Sequence, residues 1–330
     1  MIEKMIVFGG SGFIGGHVLS TFLNKKVNFD ISSCENPDNG SFFIQGDTRE
    51  VIDSKRFTEY LGSSIHDAVI FNLVAIHKTP GHEYNEYFET NIKSATNVCK
   101  FARENNISTI VFTSSIAPYG PGEDMKSEDT MLLPNSAYGM SKIMAENIHR
   151  LWQAEDPVNR KLIILRPGIV FGLGEGGNFT RLYDSLGKGL FFYPGRNDTK
   201  KSSIYVKDLV RLSFDMIRNE TAGVSLYNMC YPHPYSIKDI VNAMCRVTSV
   251  NKPLGIIPAP LLKIIATFIY AVSIFFKNGL LGIHPDRVKK LMISTNISGE
   301  RLESRGYIIN YSIEKAIADW YKDNNEKRLA

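Results

Sequence analysis

A short apolar run, Met5-Ile6-Val7-Phe8, feeds directly into Gly9-Gly10-Ser11-Gly12-Phe13-Ile14-Gly15-Gly16. The glycines satisfy both Gly10-x-Gly12-x-x-Gly15 and the wider Gly9-x-x-Gly12-x-x-Gly15 spacing. A glycine pattern alone is weak, but here a strand-like run precedes it and a helix-like run follows. Such a turn brings backbone N–H groups close to a pyrophosphate at a helix N-terminus. The next apolar run, Val27-Asn28-Phe29, ends at Asp30. A carboxylate there can hold the ribose of a dinucleotide, and it favours NAD over the 2′-phosphorylated cofactor. Its plainer role is to cap a turn.

The same alternation continues. Phe42–Gln45 runs into Gly46-Asp47, and Ala68–Ala75 reads as a buried strand, nearly continuous in apolar residues. A helix is expected from Tyr87 to Arg103, including Asn91, and Thr109–Thr113 is the next strand. Leu162–Arg166 is expected to close the series. Strand and helix alternating on this scale predict an α/β fold, a Rossmann-type doubly wound parallel sheet with ligands at the carboxyl ends of its strands. The 330 residues divide into a dinucleotide-binding domain over 1–172, with a returning segment near 200–235, and a smaller C-terminal substrate lobe over 173–330.

Chemistry is expected in the middle of the chain. Phe112-Thr113-Ser114-Ser115 ends one strand, and Tyr138-Gly139-Met140-Ser141-Lys142 opens a helix. That helix is marked by Met140, Ile143, Met144, Ile148 and Leu151 at helical spacing. Tyr138 and Lys142 lie one turn apart on the same side. A free phenol titrates near ~10, so a base working at neutral pH needs a shift of about three units, roughly 4 kcal/mol. One ammonium at about 4 Å supplies a similar amount at an effective dielectric of about 20. Ser115 is placed to hold the oxygen that Tyr138 deprotonates. By itself the spacing also fits a surface pair.

Composition narrows the partners. A net charge of +4 without a concentrated basic, aromatic-interleaved stripe argues against nucleic acid and suits an anionic substrate or a membrane surface. Cys34, Cys99, Cys230 and Cys245 show neither metal-ligand nor disulfide-framework spacing, so no metal is expected and a reducing cytoplasm is. Because Met5–Gly9 already reads as strand and loop, no signal peptide is expected.

Taken together, these pieces resemble the extended short-chain dehydrogenases/reductases of the NAD-dependent sugar epimerase/dehydratase family. The likeness rests on Gly9–Gly15, Gly46-Asp47, Asn91, Thr113-Ser114-Ser115 with Tyr119-Gly120, Tyr138–Lys142, Leu165-Arg166-Pro167-Gly168 and Ile204–Leu209. It implies NAD as cofactor, held by Gly9, Gly12, Phe13, Ile14, Gly15, Asp30, Asp47, Ala75, Asn91, Tyr138, Lys142 and Pro167. It makes Ser115, Tyr138 and Lys142 catalytic and implies a homodimer built on a helix pair of the cofactor domain. Family members that eliminate water resemble one another in an Asp-Glu pair after the catalytic hydroxyl residue. Ile116 and Ala117 stand there and cannot move protons. What remains is hydride removal and return, as in a 4-epimerase, or a single reduction or oxidation.

In the second half the resemblance places Asn178 and Lys201 on the substrate diphosphate, with Arg287 as a second phosphate contact. Asn178 is equally a helix N-cap, and Arg287 equally a surface residue. Lys201 stands where nucleotide-sugar epimerases often carry Arg and offers a point charge instead of a fork. Residues 261–277 are apolar all round a helix. They read either as a buried helix or subunit contact, or as a monotopic helix on the inner face of the cytoplasmic membrane, with Lys263 and Lys277 near its ends. The chain resembles the bacterial enzymes that epimerise N-acetylglucosamine to N-acetylgalactosamine on undecaprenyl diphosphate for surface polysaccharide. A UDP-sugar 4-epimerase and an NAD(P)-dependent 4-keto-sugar reductase or dehydrogenase are the alternatives.

Overall fold

The computed structural model describes residues 2–32, 40–77, 81–262 and 292–330. Its centre is a seven-stranded sheet: β1 (Lys4–Phe8), β2 (Lys25–Asp30), β3 (Phe42–Gln45), β4 (Val69–Asn72), β5 (Thr109–Thr113), β6 (Lys161–Pro167) and β7 (Gly223–Met229). The order across the sheet is β3-β2-β1-β4-β5-β6-β7, and every neighbouring pair is parallel. The chain winds outward from β1 in one direction, then resumes at β4 on the other side of β1. A crevice opens at the carboxyl ends where the winding reverses.

Parallel strands covered on both faces are apolar throughout, and β1 shows why. Met5 and Val7 point into one core cluster, while Ile6 and Phe8 point into the other. Helices α1 (Phe13–Thr21) and α6 (Val206–Asn219) cover the first face. Helices α2 (Lys55–Leu61), α3 (Tyr84–Glu104) and α4 (Ala137–Ala154) cover the second.

Two expectations change, and one is refined. Leu162–Arg166 does not close the sheet, because β7 pairs along the whole of β6, from Gly223 opposite Lys161 to Met229 opposite Pro167. The apolar run Ala68–Ala75 yields only Val69–Asn72 as strand, since the chain leaves the ladder at the sheet's carboxyl edge. The apolar spacing of α4 marks a helix, but Met140, Met144 and Leu151 are on its exposed side. Its buried side carries Lys142, Glu146, His149 and Gln153.

The smaller lobe is built on α5 (Asn178–Gly187), α7 (Ile237–Thr248) and a four-stranded sheet. That sheet lines up Tyr235–Ser236, Lys200–Lys201, Thr295–Ile297 and Gly122–Lys126. The last strand comes from within the first 172 residues, so the two lobes interleave. Asp208, fully buried, accepts hydrogen bonds from the backbone N–H groups of Asn310 and Tyr311, both at 3.0 Å, and fixes the C-terminal segment on α6. Among the described residues no helix is long and apolar enough to cross a membrane. Residues 263–277 of the expected apolar helix, and Arg287, lie outside the described residues.

Candidate functional site

The glycine turn sits at the carboxyl end of β1. Gly9 has φ +82°, a left-handed conformation that side chains rarely adopt. A Cβ on Gly15 would lie 2.5 Å from Gly10 Cα, so the first turn of α1 packs directly on the loop. At Gly12 a Cβ would meet only Gly9 O, at 3.5 Å. The protein's own packing thus does not demand glycine there, and the space in front of it is free for a close ligand. No side chain caps the N-terminus of α1 and no acid lies in its first turn, which leaves its N–H groups and dipole for an anion. Phe13 and Ile14 open that helix. The residues present fit a dinucleotide pyrophosphate.

Asp30 ends β2 beside this loop. Its Oδ2 accepts from Ser11 N at 2.9 Å and its Oδ1 from Ile31 N at 2.7 Å. It therefore caps the loop from the position where a ribose-binding carboxylate belongs. Asp47 is engaged by Arg49, whose Nη2 donates to Oδ2 at 2.6 Å, and this hydrogen bonding holds the Asp47 carboxyl below its ordinary range.

Asn91 is expected along the cofactor, but it is buried and its amide is committed on both atoms. Oδ1 accepts from Ile76 N at 3.1 Å, and Nδ2 donates to Ser141 Oγ at 2.9 Å. Ser141 Oγ in turn donates to Tyr138 O at 2.9 Å. Asn91 thus ties the Ala75–Ile76 loop after β4 to the start of α4.

Ser115 follows β5, and two backbone bonds hold its segment against β6: Ser114 N to Leu165 O at 2.7 Å and Ile116 N to Pro167 O at 3.1 Å. Gly139 lets α4 approach, since a Cβ there would be 2.8 Å from Ala117 O. Tyr138 and Ser115 are thereby brought together, close enough for the Ser115 hydroxyl to act on the phenol. Burial pushes the Tyr138 phenol above its ordinary value, and the Ser115 hydroxyl opposes that rise. Lys142 is 1% exposed, with Nζ 4.6 Å from the centre of the Phe112 ring. Burial pushes its amine down to about 7, partly offset by Glu146. The simple expectation of an ammonium pulling the phenol down is thus not what the fold alone delivers. Desolvation disfavours the charged form of both partners.

Behind these residues lies a buried polar network that the sequence reading missed. Glu146 accepts from Ser114 Oγ at 2.5 Å and from Arg166 Nε and Nη2 at 2.9 and 2.6 Å. Arg166 Nη1 donates to Tyr119 OH at 2.8 Å, and Tyr119 donates to Asn228 Oδ1 at 2.8 Å. His149 stacks on Phe112, with centroids 4.0 Å apart, and pairs with Ala145 O through Nδ1. A carbonyl can only accept, so Nδ1 carries the proton and Nε2 accepts from Asn72 Nδ2 at 3.1 Å. A signal was present: Tyr138, Lys142, Glu146, His149 and Gln153 recur at helical spacing as a polar stripe.

The expected substrate contacts fare differently. Asn178 is exposed at the first position of α5, its Oδ1 accepting from Arg181 Nη2 at 2.9 Å. It is not the N-cap. Gly177 holds that position, and Glu175 accepts from Phe179 N and Thr180 N instead. Lys201 is mostly buried, donates to Ile293 O at 2.9 Å, and is pushed down to about 8 by burial.

A glycine turn without a cap, an acid at the end of β2 and a Ser–Tyr–Lys set on α4 define a dinucleotide-dependent enzyme of the short-chain dehydrogenase type. The chain belongs to the NAD dependent epimerase/dehydratase family, whose model matches residues 5–230. Among curated proteins it is similar to the N-acetyl-alpha-D-glucosaminyl-diphospho-ditrans,octacis-undecaprenol 4-epimerase of Escherichia coli O157:H7. The two are 25% identical over 317 residues, 96% of this chain and 94% of that protein. The UDP-glucose 4-epimerase of Vibrio cholerae is 24% identical over 79% of this chain and 80% of its own length. Among solved structures, MoeE5 in complex with UDP-glucuronic acid and NAD superposes with a TM-score of 0.73 at 20% identity, covering 97% of this chain and 99% of that one. The UDP-N-acetylglucosamine 4-epimerase from Bacillus cereus gives a TM-score of 0.71 at 19% identity, over 98% and 99%.

Proposed function

We propose that this enzyme is a 4-epimerase of a diphosphate-linked N-acetylhexosamine, interconverting N-acetylglucosamine and N-acetylgalactosamine on undecaprenyl diphosphate for bacterial surface polysaccharide. The observation that carries the reaction type is Ser115 brought beside the start of the helix that carries Tyr138 and Lys142, at the sheet's carboxyl edge and followed by Ile116 and Ala117. Those two side chains cannot transfer protons, so the site has the parts for hydride exchange at one carbon and none for elimination beside it. The carrier reading is supported by the similarity to the undecaprenol enzyme along nearly the whole chain.

Bound NAD supplies a hydride acceptor that later returns the hydride. Gly9, Gly12, Phe13, Ile14 and Gly15 would hold its pyrophosphate, with Asp30 and Asp47 on the adenosine side and Ala75 and Pro167 lining the crevice. Tyr138 Oη exchanges a proton with the sugar 4-hydroxyl, and Ser115 Oγ keeps that oxygen in line. Lys142, poised near neutrality, favours the phenolate whenever it is protonated, because an opposite charge one turn away stabilises it. A 4-keto sugar formed there would have to turn over in the pocket so that its other face meets the cofactor. Lys201 and Asn178, with Arg287, are the assigned diphosphate contacts.

A UDP-linked sugar is the second reading, favoured by the UDP-sugar enzymes among the similar proteins and structures. Purified enzyme is offered UDP-N-acetylglucosamine and the undecaprenyl-diphosphate sugar in parallel. The proposal expects conversion of the lipid-linked donor, and conversion of the UDP donor alone rejects the carrier. Two copies would pair through α3 and α4, on which Tyr84, Met140, Met144 and Leu151 are exposed. The enzyme would work in the cytoplasm at the inner membrane face.

A further inference from the structure

We propose that residues 324–330 form a strap that holds the 173–177 loop against α1, and that His17 and Leu329 are thereby positioning residues for retention of the bound dinucleotide. The loop follows the short strand Ile169–Phe171 and leads into α5. Leu173 O accepts from His17 Nε2 at 2.8 Å, which fixes the loop to α1. A carbonyl can only accept, so Nε2 carries the proton. Burial holds the imidazole below its ordinary value, and the ring is neutral near pH 7. That ring also stands edge-on to Phe13, with centroids 5.4 Å apart. Gly174 sits against the same side chain, since a Cβ on it would lie 3.9 Å from Phe13 Cδ2. Phe13 opens α1 at the turn assigned to the pyrophosphate, so the loop is a wall beside that turn.

A second set of contacts ties the loop to residues 324–330. Gly174 N donates to Ala330 O at 3.1 Å, and Trp320 Nε1 donates to the same oxygen at 3.3 Å. Leu329 is fully buried in the first core cluster. Arg328 pairs with Asp184 of α5 at 2.8 Å, and Asn324 Nδ2 donates to Arg328 O at 2.9 Å. The helix Ile313–Asp323, from which the strap leaves, is itself pinned to α6. Lys207 Nζ lies 2.6 Å from Asp319 Oδ2 and 2.8 Å from Asp323 Oδ2. Lifting the loop from α1 breaks the His17 and Ala330 bonds together, so weakening either anchor raises the population of the open loop. The inference rests on the proposed reaction for its purpose, since an enzyme that returns a hydride must keep its cofactor through both transfers. For its test it rests on the dinucleotide site alone.

The test is the rate at which the purified protein exchanges bound NAD for radiolabelled NAD, read by rapid filtration. His17→Leu leaves Leu173 O without its donor and should exchange about tenfold faster than wild type. His17→Gln puts an amide donor near the place of Nε2 and should stay within about twofold of wild type. That rescue separates the bond to the loop from mere packing of the ring. Leu329→Ser should also exchange at least about tenfold faster. Circular dichroism checks its folding, and the two His17 variants read the same loop if it misfolds. Exchange by His17→Leu or by folded Leu329→Ser at the wild-type rate overturns the inference, and so does equal acceleration in His17→Leu and His17→Gln. Faster exchange in His17→Leu and Leu329→Ser, with no epimerised sugar from the wild type, would keep the strap and remove the proposed reaction. Epimerisation by a wild type whose exchange matches those variants would do the reverse.

Discussion

Arg166 at the end of β6 and Glu146 on α4 form a two-pronged ion pair, 2.9 and 2.6 Å, with both side chains almost completely buried. The pair joins the strand that holds Ser115's loop to the helix that carries Tyr138 and Lys142. Its remaining atoms are used by Ser114 and Tyr119. Removing one partner leaves an uncompensated buried charge. Arg166→Met should therefore cost about 3–5 kcal/mol in urea unfolding, while adding Glu146→Gln should recover part of that loss.

Tyr138→Phe keeps the ring and removes the proton-transferring oxygen. Turnover should fall by roughly 10²–10⁴, while titration with NAD should show cofactor affinity within a few-fold of wild type. Loss of cofactor binding in step with activity would show that the hydroxyl serves binding instead.

Gly139→Ala sets two effects against each other. Alanine improves a helix interior by up to ~1 kcal/mol. Here its Cβ would sit 2.8 Å from Ala117 O and 3.1 Å from Pro134 Cβ, a backbone oxygen and a ring carbon rather than the end of a flexible side chain. Overpacking of this kind costs about 1–3 kcal/mol, so net destabilisation is expected. Because Ala117 N donates to Ser115 Oγ at 3.1 Å, the displaced loop should carry Ser115 with it and lower kcat.

His149 gives stability a pH dependence of known sign. Burial pushes it down to about 4 from 6.5, so between those values the folded chain binds fewer protons than the unfolded one. Stability should fall as pH drops from 6.5 towards 4, by on the order of 3 kcal/mol from this residue. Comparing urea midpoints near pH 7 and pH 4.5 for wild type and His149→Gln checks it: the variant should lose less. Lys142, pushed to about 7, acts in a separate window, where stability rises as pH climbs from 7 towards 10.5.

Much of the fold was legible because parallel strands covered on both faces leave unbroken apolar runs. Phe42–Gln45 and Thr109–Thr113 have the bounds that the sequence suggests. β7 was hidden because Val224-Ser225-Leu226-Tyr227-Asn228 mixes polar residues into its run. Serving the edge of the sheet and the contact with the smaller lobe, it need not be apolar throughout. On α4 the period identified the helix but not its orientation. Met140, Met144 and Leu151 face solvent, while the inward side carries Lys142, Glu146 and His149, the last two holding partners supplied by strands of the sheet. Those partners, Arg166 for Glu146 and Asn72 for His149, are distant in sequence, so pairwise spacing could not reveal them. Asn178 failed as a cap because Glu175 folds back over the same N–H groups.

The central claim is that hydride leaves and returns at the same sugar carbon without net use of cofactor. Substrate deuterated at carbon 4 can be equilibrated with the enzyme and the product sugars read by mass spectrometry and NMR. Full retention of deuterium at carbon 4 in the epimerised sugar, with bound NAD returned oxidised, is the predicted result. Loss of the label to solvent, or stoichiometric NADH together with a stable keto sugar, would contradict it.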